Sequence, residues 1–144
     1  MELKEIKTQY FDLAELIHSD TADQKKIANI PSVGVVANIC NLITEVLEPA
    51  RVRLGSPIIV TSGYRCVELN KAVGGVVTSQ HTKGQAADLV CNSVAEMKRL
   101  FDILKEMDID QLLYESNKQG KQWIHVSYVA HGKNRQHVNN NYKA

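Results

Sequence analysis

The chain has 144 residues, 44% apolar and 23% charged, with a formal net charge of +1. That length suits one domain with a real core, and the even charge balance excludes a broad electrostatic pull toward nucleic acid or a membrane surface. An odd set of three cysteines, Cys40, Cys66 and Cys91, without metal-ligand spacing argues against a disulfide framework; they read as reduced thiols, with a ligand role for Cys66 as the lesser alternative.

The N-terminus, MELKEIKTQYFDLAEL, lacks a basic stretch followed by an apolar core, so it does not read as a secretory signal. No apolar run approaches the ~20 residues needed to span a bilayer. The sequence therefore predicts cytoplasmic synthesis without membrane insertion, or exit by a route it does not encode.

Residues 11–18 read as a short helix, and Ser19 or Thr21 can cap a further turn. The clearest helix follows Pro31-Ser32: Val35, Ile39, Leu42, Ile43, Val46 and Ala50 form an i, i+3/i+4 stripe. Pro49 is expected to kink or loosen it, and Gly55 to end it. Residues 57–62 are a short β-branched run stopped by Gly63, which suggests a buried strand. One or two helical turns over 68–73 stop at Gly74-Gly75.

Residues 77–91 read as loop followed by strand. Ser93 and Glu96 form a capping box for a helix over about 94–107. Residues 109–115 and 122–129 read as strands joined by a polar hairpin loop. The Asn-rich tail from His131 is expected to be poorly ordered. This order predicts a single α+β domain, residues 1–144 with its core at about 10–130. In it, N-terminal helices pack on a small, mostly antiparallel sheet.

Two of the five histidines stand in informative surroundings. His81 precedes Asp88 by seven residues; on a helix their Cα atoms would be about 10 Å apart, awkward for two ligands that must each come within about 2 Å of one ion. A turn at Gly84 followed by a strand lets Asp88 come level with His81. In Trp123-Ile-His125-Val-Ser127, alternation puts His125 opposite the better core face, Ile124 and Val126. A hairpin would bring Glu115 near Trp123, about 7–8 Å on the diagonal from His125, within reach of a water on a metal held there, as a general base requires. The spacing alone also fits a structural histidine, a turn aspartate and a solvated glutamate.

Longer strings add specificity. Ser62-Gly-Tyr-Arg65, Leu69-Asn70, Val73-Gly-Gly75, Ser79-Gln-His81, Gly84-Gln-Ala-Ala-Asp88 and Trp123-Ile-His125-Val-Ser127 resemble the zinc D-Ala-D-Ala carboxypeptidase family over about residues 10–130. That family includes VanX-type dipeptidases and phage endolysins, and shares its fold with the hedgehog signalling domain. The resemblance implies a Zn2+ site of His81, Asp88 and His125. It also implies an Arg65 that faces substrate, where a guanidinium can bind a carboxylate or stabilise an oxyanion; a structural salt bridge is the alternative. Ser79 falls within the substrate-binding string. Trp123 either shapes the cleft wall or packs as a buried ring.

One position departs from the family pattern. Many members carry an acidic base three residues before the last histidine, and Gln122 stands there. Glu115 resembles the hedgehog-like placement of the acid further upstream. The implied activity is zinc-dependent hydrolysis of a peptide bond in peptidoglycan stem peptides, as a carboxypeptidase or an endolysin-type endopeptidase. The lack of a signal fits a phage-type enzyme released on lysis. The competing reading is a non-catalytic zinc-containing binding module on the same fold. Lys118, Lys121, Lys133 and Arg135 read as a solvated basic rim, suited to an anionic cell wall rather than to nucleic acid.

Overall fold

A computed structural model of the protein describes residues 6–141. Two short helices open it, α1 (Leu13–Ile17) and α2 (Asp20–Lys25). Their first turns are satisfied by side chains: Asp12 accepts from the Glu15 N–H, and Ser19 from the Ala22 N–H. Ser19, rather than Thr21, is the cap.

The main helical run has three parts: α3 (Val33–Leu42), a π-helical stretch (Ile43–Leu47) and α4 (Glu48–Leu54). The expected loosening at Pro49 takes this form. Proline has no N–H to return to the carbonyl four residues back, and the turn before it widens to the i→i+5 pattern. Gly55 ends α4 in the left-handed region, φ 73°. The run Val33–Leu54 is long and apolar enough to meet the length and composition of a membrane span, contrary to the sequence reading of short apolar runs. Here it is the core helix. Ile39, Leu42, Val46, Leu47 and Ala50 are at most 1% exposed, while Glu45, Arg51 and Arg53 carry its polar face outward.

The sheet has five strands in the order β1-β2-β4-β3-β5: β1 (Ile59–Ser62), β2 (Ala86–Val90), β3 (Gln111–Ser116), β4 (Gln122–Ser127) and β5 (His137–Asn140). Three pairings are antiparallel, and β3–β5 is parallel. Between β1 and β2 lie α5 (Val67–Ala72) and a 3-10 turn (Gln80–Lys83). Between β2 and β3 lies α6 (Val94–Lys105), capped by Ser93, which exchanges bonds with the Glu96 N–H and carboxylate.

Alternation sorts the sheet into two faces. Ala87, Leu89, Leu112, Tyr114, Ile124 and Val126 are buried in one core with the helices; each such large side chain contributes about 1.5–3 kcal/mol. The opposite face carries Asp88, Glu115, Trp123 and His125. The fold is thus the α+β arrangement expected, with helices on one side of a mostly antiparallel sheet.

Two expectations need correction. The run before Gly63 is an edge strand, not a buried one: β1 bonds to β2 alone, and Ile59 is 48% exposed. The tail is not loose. After His131 the chain returns as β5, because β3 has a free edge whose N–H and C=O groups the tail can pair. Residues 142–144 lie outside the described residues.

Candidate metal centre

The site is built where β2 and β4 lie side by side. Asp88 and His125 are direct register partners, and His125 Nδ1 is 3.1 Å from Asp88 Oδ1. His81 arrives from the 3-10 turn, with Nε2 3.3 Å from the same oxygen. The two imidazoles meet edge to face, with ring centroids 5.2 Å apart. One ligand atom from each of the three residues lies within 4.8 Å of the others.

This cluster fits a metal ion. Two imidazole nitrogens and a carboxylate oxygen are a donor set found at catalytic zinc, which keeps a fourth position for water or substrate. Bonds of about 2.0–2.1 Å at tetrahedral angles put neighbouring donors roughly 3.3 Å apart. The 3.1 and 3.3 Å separations match that edge. Burial alone would raise the Asp88 carboxyl, but hydrogen bonds and charge from His125 and His81 outweigh it and hold it well below the usual carboxylate range. A carboxylate that stays ionised is what a cation needs.

The surroundings orient the three ligand-type residues. His81 is 2% exposed, and its Nδ1–H donates to the Gly63 carbonyl at 2.7 Å, which leaves Nε2 to face Asp88. The His81 carbonyl accepts from the Arg65 N–H, and Ser79 Oγ accepts from the His81 N–H. Gly84 ends the turn at φ 73° with the α3 backbone close behind; a Cβ there would lie 2.8 Å from the Val35 carbonyl oxygen. Glycine is needed for both conformation and space. Asn38 on α3 donates to the Lys83 carbonyl and braces the same turn.

Gly63 is needed for a similar reason. Its Cα passes so close to the end of α1 that a Cβ would collide with the Leu16 carbonyl oxygen, which instead accepts from the Tyr64 N–H. Asn29 clamps this junction. Its Nδ2 donates to the carbonyls of Ile17 and Tyr64, and its Oδ1 accepts from the Cys66 N–H. Sequence reasoning passed over Asn29, which sits in a polar segment with no motif around it. Its three partners lie in two segments that come together only in the folded chain.

Two cavities flank the three ligand-type residues. One, of about 350 Å³, is lined by Asp88, Arg65, Tyr64 and the start of α2. Burial pulls the Arg65 guanidinium pKa down and the Asp88 charge pushes it back up; its Nε is buried and unpaired among the described residues. The other, of about 490 Å³, is lined by His125, Glu115, Ser79 and Arg135. Glu115 faces Trp123 across the hairpin, the register expected, on the same sheet face as His125. Trp123 is half-buried.

Gln122 stands elsewhere. Three residues along a strand reverses the face, so Gln122 points with Ile124 toward the core side. There its Oε1 accepts from the Tyr114 hydroxyl at 2.8 Å. Cys66 caps α5, with its sulfur accepting from the Leu69 N–H. Cys66 belongs to neither ligand-type group found among the described residues. The second such group, His18, Asp20 and Asp23, is fully on the surface. There the two carboxylates lie 3.0 and 4.0 Å from different nitrogens of one imidazole, and all three residues are exposed where the first group is buried or half-buried.

No curated protein matches the chain. A family model described as Peptidase M15 matches residues 9–127, which spans α1 to the end of β4 and all three ligand-type residues. The chain belongs to the M15 peptidase family, the zinc metallopeptidases that its motifs resemble.

Proposed function

We propose that the protein hydrolyses a peptide bond in peptidoglycan stem peptides, with His81, Asp88 and His125 holding a zinc ion. The observation that carries this reading is the junction of β2 and β4, where three zinc-type donors converge within 4.8 Å of one another, two of them at 3.1 and 3.3 Å from the same Asp88 oxygen, beside a cavity shared by His125 and Glu115. When bound, zinc supplies Lewis acidity, which polarises a carbonyl and makes water acidic enough to lose a proton near neutral pH.

The chain's own residues do the rest. Glu115 takes the proton of the attacking water and returns it to the leaving amine. Arg65, from the other flank, donates to the developing oxyanion or to a substrate carboxylate. Gly63 keeps the Nδ1 proton on His81, so the ligand nitrogen does not change. Ser79 holds the turn that carries His81 and lines the substrate cavity; Trp123 lines neither cavity and pairs with Glu115 across the hairpin. Cavities on both sides of the triad support a peptide that extends in both directions from the cut bond, as in endopeptidase action.

A non-catalytic zinc module draws its main support from the amide at position 122. That support is weak, because the Gln122 side chain bonds Tyr114 on the far face of the sheet, where an acid could not serve the metal either. The test is mass spectrometry of purified peptidoglycan digested by the zinc-loaded protein, beside Glu115→Gln. Stem-peptide fragments from the wild type alone identify the bond and support the base. No fragments from either protein, with zinc bound to both, overturn the reading.

A further inference from the structure

The cavity that holds Glu115 and His125 has one wall from outside the family match, which ends at residue 127. Beyond that residue the chain turns back, and Arg135 comes to rest over Asp110 just before β5. Asp110 is 3% exposed. It accepts from Arg135 Nε at 3.1 and 3.2 Å, from Nη2 at 2.8 Å and from the Arg135 backbone N–H at 3.0 Å. It also accepts from Gln80 Nε2 at 2.9 Å, and Gln80 precedes His81 in the 3-10 turn.

A guanidinium has five N–H donors in a planar fork. Asp110 engages the Nε edge. The remaining donors of Arg135 take no hydrogen bond among the described residues, and its side chain is 61% exposed. The group is therefore fixed in orientation, and Arg135 lines the cavity that contains Glu115. A pre-oriented arginine loses little further freedom when it binds a carboxylate. Lys83 lines the same cavity and adds charge of the same sign.

Building on the peptidase reading above, we propose that Arg135 is a specificity residue that binds a carboxylate of the substrate on the Glu115 side of the metal, opposite Arg65. The carboxylate comes either from a side chain of the peptide or from its C-terminus. Arg135 has no part in the chemical step. It selects peptides that carry an anion at this distance from the cut bond.

The test is calorimetric binding of a stem pentapeptide to the zinc-loaded Glu115→Gln protein, with and without Arg135→Gln or Arg135→Lys. Three forms of the peptide are compared: free acid, C-terminal amide, and side-chain amide. Arg135→Gln should weaken the free acid by about tenfold or more. It should leave unchanged the one amidated form that has lost the recognised carboxylate, which also names the source. Arg135→Lys should recover only part of the loss. Equal losses for all three forms, or no loss for any, would overturn the proposal. The comparison between forms is insensitive to any general loosening of β5.

Failure of the peptidase reading looks different: no form of the peptide binds even with Arg135 intact. In that event N-acetyl-D-alanine and its amide are titrated against the Arg135 Nε–H signal in NMR spectra of the zinc-loaded protein. A shift with the acid alone supports carboxylate binding at Arg135, and no shift with either overturns it.

Discussion

Asp88 and His125 face each other across two antiparallel strands, with Oδ1 3.1 Å from Nδ1. A backbone register therefore sets the spacing of two of the three ligand-type atoms, and the 3-10 turn needs to bring in only the third. Replacing His125 or Asp88 with alanine should lower zinc affinity by more than the roughly 10–100-fold lost when an outer partner is removed. Competition with a chromophoric chelator measures this. Wild-type affinity in either variant would rule out the assigned ligand set.

Glu115 is on the same sheet face as His125, and Gln122 is on the core side of β4. Glu115→Gln should reduce hydrolysis by about 10²–10⁴-fold, the usual contribution of a general base, with zinc content unchanged. The double change Glu115→Gln with Gln122→Glu should not restore the rate. Rescue would mean that the acid at 122 reaches the metal after all.

Gly63 does two jobs: its carbonyl holds His81, and its missing side chain admits the Leu16 carbonyl. Gly63→Ala forces the end of α1 away from β1. We expect a loss of about 1–3 kcal/mol in urea unfolding, typical of overpacking, together with weaker zinc binding. Unchanged stability would show that α1 shifts freely.

Asn29→Ala removes three hydrogen bonds that join the end of α1 to the Tyr64–Cys66 segment. Leaving their partners unsatisfied should cost about 1–3 kcal/mol. Because Arg65 lies in that segment, KM should rise more than kcat falls. A pure stability change with normal KM would make Asn29 a structural clamp only.

Asp110 titrates far from its ordinary value of 3.8. Hydrogen bonds from Arg135 come first among the causes and outweigh burial, bringing the pKa down to about 2. A depressed folded-state pKa stabilises the protein above the unfolded value, and that stability is lost as pH falls through the folded value. The melting-temperature gap between wild type and Asp110→Asn should therefore be steady at neutral pH and close between about pH 4 and pH 2. A gap that persists at pH 2 would mean that the pair contributes shape rather than charge.

Much of this protein can be read locally. The caps at Ser19, Ser93 and Gly55, the stripe from Val35 to Ala50 and the hairpin of β3 and β4 depend on neighbours a few residues away, so their signals sit together in the chain. The alternation around His125 identified the side of β4 that faces away from the core, and the turn at Gly84 opened a route for His81 and Asp88 to converge. What the sequence could not determine is everything set by contacts between distant segments. β1 lies at an edge because the strand order leaves it one neighbour, which its own residues do not encode. Asn29 and Asp110 are ordinary polar residues until folding brings their partners to them from up to 37 residues away. The polar C-terminal segment resembled a loose tail because a short strand without an apolar run has no periodic signal; it is ordered by the open edge of β3 and by one buried carboxylate. Hydrophobic periodicity reports which face of an element is buried, and only the tertiary structure decides which buried polar groups meet.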